Sequence, residues 1–452
     1  MNKVRLPLTC FYLVFFTLYS LMTRFTWTAA RIDGSINSTL YRMLLILGCL
    51  LAIWWLIASR TEILSSHKKI DFFFLAGFIA VLCVSTLLNY SYQLFDNLYG
   101  IITFGFQLVL FYLMGRTLSE QEWDSIIQKI ILCCSVLWDI ACAASLIQFL
   151  LNISYKTQYA ADRGAVRQGI TDGRLFGLFS DPNFAAFTSL LLLAGLWHII
   201  SSSKKTLAMR IFVWFSIALN AMYIIMSNSR TVYLSVIGTV LIYVLLSSYK
   251  KYQAQGKSGL CVLRHLIIRS IITLVLLLVI YFATLMSLRG IAELISPDRD
   301  TAVEMVREDV NTENISNNRF TIWQAYLELY KEKPLFGFST RGALPYATKN
   351  HPDSYLAKTQ YVTHNSYLSL LIETGAVGFC VMASFMLLLF IRSMKRIRDK
   401  KPISKTYILF FSWMAAILVF CICFHDIFFT MNIETMLFLS SMGFLWQKQF
   451  VN

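Results

Sequence analysis

Apolar runs of membrane-spanning length recur along this 452-residue chain, separated by short segments that collect its lysines and arginines. A run of that kind satisfies its backbone internally as helix and offers lipid few charges. Twelve spans can be drawn, near residues 6–22, 40–58, 72–88, 97–115, 126–151, 184–200, 210–227, 231–248, 266–287, 366–391, 407–424 and 430–447. The expected fold is therefore an all-α polytopic membrane protein. Composition agrees, since 57% of the residues are hydrophobic and 14% charged, against roughly a quarter charged in soluble domains. A water-soluble enzyme is excluded. The first span follows Lys3 and Arg5 and reads as a signal anchor, because Thr28-Ala29-Ala30 makes a poor cleavage site.

The net charge of +15 would suggest nucleic acid in a soluble protein. Here the basic residues lie between spans, where they set orientation, and no nucleic-acid partner is expected. With the N-terminus inside, 23 of the 40 Lys and Arg fall on inner segments and 17 on outer ones, nine of the latter in one long loop. Long loops influence orientation little, so both termini are expected to be cytoplasmic, with the tract from Arg392 to Lys401 as the strongest inner anchor. Nine of the ten cysteines lie in apolar runs and Cys261 in a basic loop, which indicates neither a zinc site nor a disulfide framework.

Three stretches follow: residues 1–287 with spans one to nine, a large extracytoplasmic loop at 288–365, and residues 366–452 with spans ten to twelve. The loop is too long for a connector and should hold its own structure. Phe320, Trp323, Leu327 and Tyr330 recur in it at helical spacing, after Ser316-Asn317-Asn318 and before Pro334. That pattern predicts an amphipathic helix on the outer membrane surface. Thr301 to Val310 is a weaker second helix. Another outer loop, at 152–183, also stands out by its length.

Soluble-enzyme signatures are absent: there is no GxGxxG, GxxxxGK[ST] or HExxH. Asp298-Arg299-Asp300 has the form of a metal-binding DxD, although a solvated loop explains it better. Outer arginines carry more meaning. Arg230 lies in the short link Ser227–Thr231, Arg174 ends the first long outer loop, and Arg319 starts the surface helix. A guanidinium at the membrane edge is costly without an anion or carboxylate, and its planar fork suits phosphate; snorkelling or ion pairing is the plainer reading. Among the histidines, His67, His198 and His265 are inner, and His351, His364 and His425 outer. His364 stands where the long loop re-enters the membrane and could take a proton from a hydroxyl near neutral pH, or simply precede an Asn365 helix cap. Asp139 and Glu373 are acids within spans, as in ion or proton paths, although Asp139 could pair with a neighbouring Arg.

Three segments together resemble the superfamily of O-antigen ligases and Wzy-type polymerases. Arg174-Leu175-Phe176-Gly177 through Asp181-Pro182-Asn183 is similar to its R-x-x-G…P-N element, and Asn228-Ser229-Arg230 to its S-R element. The stretch from Arg319 through Trp323 and Pro334-Leu335-Phe336-Gly337 to His364-Asn365-Ser366-Tyr367-Leu368 and Glu373-Thr374-Gly375-Ala376-Val377-Gly378 resembles its long periplasmic loop. In place of the family's frequent G-x-G after the proline stand Gly337, Phe338 and Ser339, so a different turn is expected there.

The resemblance implies a GT-C-like glycosyltransferase that needs no metal or other cofactor and takes its donor glycan from undecaprenyl diphosphate at the outer face of the cytoplasmic (inner) membrane. On that footing Arg230, Arg319 and Arg174 would hold diphosphate, with Arg174 and Asn183 shaping the site. His364 would be the base that activates the acceptor hydroxyl, supported by Asn365 and Glu373. The expected reaction is inverting polymerisation of lipid-linked repeat units for O-antigen, capsule or exopolysaccharide. Its partners would be lipid-linked donor and acceptor and membrane lipids, and binding of a chain-length regulator stays open. Ligation of finished glycan to a lipid A core or protein is the alternative, and a flippase or ion-coupled transporter using Asp139 and Glu373 a second.

Overall fold

A computed structural model describes residues 2–31, 34–60, 69–158, 165–202, 205–295, 318–399, 401–424 and 428–447. The DxD run, the expected helix at Thr301–Val310, His67 and His425 lie outside the described residues. In chain order the helices are α1 (Asn2–Met22), α2 (Thr26–Arg31), α3 (Gly34–Ala58), α4 (Ile70–Leu88), α5 (Leu94–Gln107), α6 (Leu113–Thr117), α7 (Glu120–Leu150), α8 (Pro182–Ser202), α9 (Leu207–Met226), α10 (Arg230–Ala254), α11 (Gly259–Ile295), α12 (Arg319–Tyr330), α13 (Ala343–Asn350), α14 (Tyr355–Thr359), α15 (Ser366–Arg398), α16 (Lys405–Phe420) and α17 (Ile433–Leu445). A π-helical turn, Leu108–Tyr112, joins α5 to α6 in one apolar run.

Every expected span falls on a helix, and the protein is a multi-pass, all-α membrane protein. Among the described residues ten helical runs are long and apolar enough to cross a bilayer. The other two, α16 and α17, are apolar but have only 16 and 13 residues, shorter than the ~20 that a perpendicular span needs. Chain contacts divide the molecule into two units.

The first unit comprises residues 1–44, 118–309 and 400–419. Its longest inward-packed helix, α7, opens with a reciprocal cap: the Ser119 hydroxyl accepts from the Glu122 N–H, and the Glu122 carboxylate accepts from the Ser119 N–H at 2.8 Å. The loop at 152–183 departs locally from the all-helical expectation. It forms an antiparallel sheet in the order β1 (Ser154–Gln158), β2 (Ala165–Thr171), β3 (Arg174–Gly177). The β2–β3 turn is Asp172-Gly173, both at positive φ (53° and 66°), the two-residue geometry that matches strand twist. Beyond β3, Phe179 packs against Trp138 (4.6 Å between ring centroids) and Tyr223 (4.9 Å). Asp139 has hydroxyl and amide partners where an arginine was one expectation: it accepts from Ser216 Oγ and, at 3.0 Å, from Asn220 Nδ2, both on α9.

The second unit comprises residues 45–117, 310–399 and 420–452. Its described loop residues fold into a small helical body of α12, α13 and α14 against the start of α15. The core of that body is Ile322, Tyr326, Leu329, Phe338, Ala347, Leu356 and Ile372. Helix α12 therefore exists where the periodicity placed it, but it buries a different stripe. Ile322, Tyr326 and Leu329 face the core, whereas Phe320 and Leu327 are exposed. The expected stripe and the observed one share the 3.6-residue period, and tertiary packing chose between them. A buried pair missed by sequence reading closes α4 to α6, where Asp71 accepts from Tyr112 Oη (2.8 Å) and Arg116 Nε (3.1 Å).

Candidate functional site

The arginines of the first unit have opposite surroundings. Arg174, at the head of β3, is buried. Its Nε donates to the Ser227 carbonyl at 3.1 Å and its Nη2 to Asn183 Oδ1 at 2.7 Å. Asn183 Oδ1 also accepts from Ser229 Oγ (2.8 Å), and the Asn183 N–H donates to Asp181 Oδ1 (2.7 Å). Asn228, held at φ 49°, donates through Nδ2 to the Gly173 carbonyl at 3.2 Å. The R-x-x-G…P-N and N-S-R elements thus bind one another, and Arg174 is the tie between them. Gly177 completes the element: a Cβ there would lie 2.1 Å from the Ser145 side chain, whose Oγ accepts from the Leu178 N–H. Arg230 follows this tie as the first residue of α10 and is exposed. Its guanidinium has no hydrogen bond or ion pair among the described residues.

In the second unit the loop is threaded into a break in α15. Gly375 stands at φ 66°, ψ −173°, so the helix is interrupted there. The segment from Pro334 to Ser339 fills the interruption. The Phe338 and Ser339 N–H groups donate to the Ile372 and Glu373 carbonyls (both 2.9 Å), and the Ala376 and Val377 N–H groups donate to the Pro334 and Leu335 carbonyls (2.7 and 3.1 Å). Backbone groups orphaned by the break are thereby satisfied. A Cβ on Gly375 would lie 2.2 Å from the Leu335 carbonyl oxygen, and one on Gly337 2.3 Å from that of Ile372. The expected change of turn after Gly337 takes a definite form: Ser339 adopts φ 67°, the left-handed region that favours glycine. Its hydroxyl pairs with Thr86 Oγ1 at 2.6 Å, and its N–H donates to Ser85 Oγ at 2.9 Å. Asn89 adds a bond to the Gly337 carbonyl (2.9 Å). Ser85, Thr86 and Asn89 occupy the end of span three, and sequence reading passed over them. Three polar residues spaced i, i+1, i+4 in an apolar run were the available signal.

His364 and Arg319 lie on segments that this unit joins directly. Trp323, one turn after Arg319 on α12, donates through Nε1 to the Thr363 carbonyl at 2.9 Å. The Arg319 guanidinium packs over the Phe424 ring at 5.8 Å, and the Phe424 carbonyl accepts from Ser366 Oγ at 2.6 Å. His364 is thus flanked by two anchored residues, Thr363 and Ser366. It is half-buried and held at φ 48°, a left-handed conformation that costs a residue with a Cβ about 1–2 kcal/mol. Asn365 then caps α15, its Oδ1 accepting from the Tyr367 and Leu368 N–H groups at 3.0 Å, as the motif predicts. Glu373, two turns on, contributes its carbonyl to Ser85 Oγ (3.0 Å) as well as to Ser339.

Electrostatics at the base of the loop centre on Glu332 and Lys333. Burial alone would raise the Glu332 carboxyl, but hydrogen bonds from Tyr346 and His351 outweigh it and the net shift is downward. Burial lowers Lys333, whose Nζ donates to Asn89 Oδ1 at 2.6 Å and faces the rings of Tyr346, Tyr92 and Phe338. Burial and the Glu332 bond push the Tyr346 hydroxyl up to about 12. Tyr326 is also raised, by burial first and then by the charge of Glu373.

Comparison with known families gives a match over part of the chain. Residues 215–383 match the model of the O-antigen ligase family. The matched stretch takes in Asn228-Ser229-Arg230, the long loop and the break in α15, and stops short of the Arg174–Asn183 element. It bears out the resemblance to the superfamily of ligases and polymerases. A comparison with curated proteins finds no match.

Proposed function

We propose that this chain, a multi-pass membrane protein carrying an O-antigen ligase domain, polymerises lipid-linked glycan repeat units. The donor would be a glycan on undecaprenyl diphosphate, reached from the outer face of the cytoplasmic membrane. Both termini would be cytoplasmic and the long loop outside. The observation that carries the reading is the pairing within one unit of a strained histidine with an arginine one helical turn from the residue that anchors it.

His364 is the base in this mechanism. Its imidazole removes the proton of the acceptor hydroxyl as that oxygen forms a bond to the anomeric carbon of the donor. The bond from that carbon to the diphosphate oxygen breaks, the electron pair leaves with the diphosphate, and the configuration inverts. Arg319 binds the diphosphate and neutralises the charge that develops on it. Arg230, in the other unit, is a further guanidinium available to an anion. Arg174 serves as a tie, its Nε and one Nη already engaged by protein oxygens. The description of the matched family favours ligation as a second reading, with the same chemistry and a lipid A core or protein as acceptor.

The test is reconstitution of the protein in lipid with a polyprenyl-diphosphate-linked repeat unit as sole substrate. A ladder of lengths is expected, and His364→Ala should slow its formation by ~10²–10⁴. A ladder of normal rate from His364→Ala at normal protein level removes the base from the mechanism. Product formed only when a core oligosaccharide or protein acceptor is supplied would establish the ligase.

A further inference from the structure

A cavity of about 250 Å³ opens beside the His364 segment, within the second unit. Tyr326, Thr340, Thr363, Ser369 and Ile372 are buried and form its floor, while Gln93, Arg341 and Gln360 are exposed at its rim. Glu373, half-buried, also lines it. Two features make this a built site. Its walls are fixed, because the Arg341 N–H donates to Asn97 Oδ1 (2.7 Å) and Tyr326 Oη to the Tyr361 carbonyl (3.0 Å). Its floor is polar where a helical core would be apolar: Thr363 and Ser369 pair through their hydroxyls at 2.5 Å, the Thr363 hydroxyl donates on to the Asn365 carbonyl, and the Ser369 oxygen keeps lone pairs for a ligand.

Hydroxyls, amides, a carboxylate and an aromatic ring around one small volume are the groups that bind a polyol. The volume has room for a monosaccharide. Building on the glycosyl-transfer reading above, we propose that this cavity holds the terminal sugar of the acceptor, with the Glu373 carboxylate accepting hydrogen bonds from its hydroxyls. The acceptor sugar is favoured over the donor sugar because a carboxylate repels the diphosphate attached to the donor. Thr363 lines the cavity and precedes His364, so the cavity lies on the segment that carries the proposed base. In this role Glu373 determines acceptor specificity and does not move the proton.

The experiment uses full-length protein in nanodiscs with a panel of free methyl glycosides, read by saturation-transfer NMR, alongside steady-state kinetics in which the lipid-linked repeat unit is the donor and a repeat-unit oligosaccharide without diphosphate, which can only accept, is varied separately as the acceptor. At least one glycoside should bind the wild type. Glu373→Gln should abolish that binding and raise KM for the acceptor about tenfold or more, with KM for the donor nearly unchanged. Ala343→Phe, which fills the cavity from its wall, should do the same and guards against a folding artefact at Glu373. Turnover that depends on His364, combined with an unchanged acceptor KM in both variants, overturns the cavity assignment and leaves the transferase standing. A rise in donor KM alone reassigns the sugar to the donor and likewise overturns it. Glycoside binding that vanishes in both variants of a protein with no transferase activity keeps a sugar site and overturns the transferase reading.

Discussion

The two motif-bearing loops solve the same problem by different means. In the first, side chains make the joint: a buried arginine gathers Ser227 and Asn183, and a serine and a second asparagine complete it. In the second the joint is made of main chain, with four backbone hydrogen bonds crossing between residues 334–339 and 372–377. The first arrangement consumes its arginine. The second is built without the side chains of His364, Arg319 and Glu373. An arginine in a recurring motif is thus no guide to ligand binding until its neighbours are known.

The sharpest way to break this contrast is at the main-chain joint. Gly375→Ala sets a methyl group against the Leu335 carbonyl and forces a left-handed residue, so destabilisation of about 3 kcal/mol or more is expected. Thermal unfolding in detergent would show it, and an unchanged midpoint would mean the joint is not rigid. Next in size is the side-chain joint. Arg174→Lys loses the fork and should lower stability by about 1–3 kcal/mol. By contrast, Arg230→Lys and Arg319→Lys should leave the midpoint within about 0.5 kcal/mol and weaken donor binding. Normal stability with lost donor binding in Arg174→Lys would reverse the roles assigned.

Smaller effects sharpen the picture. Because the folded Glu332 carboxyl lies below its unfolded value near about 4.3, its contribution is present above that pH and is lost as pH falls through the depressed folded value. Glu332→Gln should therefore flatten the acid side of a midpoint-against-pH curve, and an unaltered curve would show that the bonds from Tyr346 and His351 count for nothing. Smallest of all is Ser339→Gly. It relieves about 1 kcal/mol of backbone strain and forfeits a hydrogen bond to Thr86 of about the same worth, so a net change under about 1 kcal/mol is expected. A large loss would show that Thr86, and not the turn, holds this segment.

Much of this was legible in the sequence, for reasons that can be named. Hydropathy located the helices because each span is a long local signal, and Asn365 was readable as a cap because capping is local. The sheet escaped notice although Asp172-Gly173 is a strong hairpin signal, since its strands are short and β3 is buried on both faces. Helix α12 was placed correctly but its buried side was not, because Ile322, Tyr326 and Leu329 are chosen by partners far along the chain. The Glu373 side chain suggested a coupling acid, whereas half of what Glu373 does passes through its carbonyl, which no residue type reveals.

The joint at Gly375 also orders the biogenesis of the chain. Residues 334–339 leave the ribosome before residues 372–377, so the first half of the joint must wait, its carbonyls and N–H groups hydrated, until the tenth span arrives. Before the loop docks, the peptide groups beside Gly375 are matched only if the span is one uninterrupted helix, so the break opens as the loop enters. Breaking of this helix and docking of the loop become a single event.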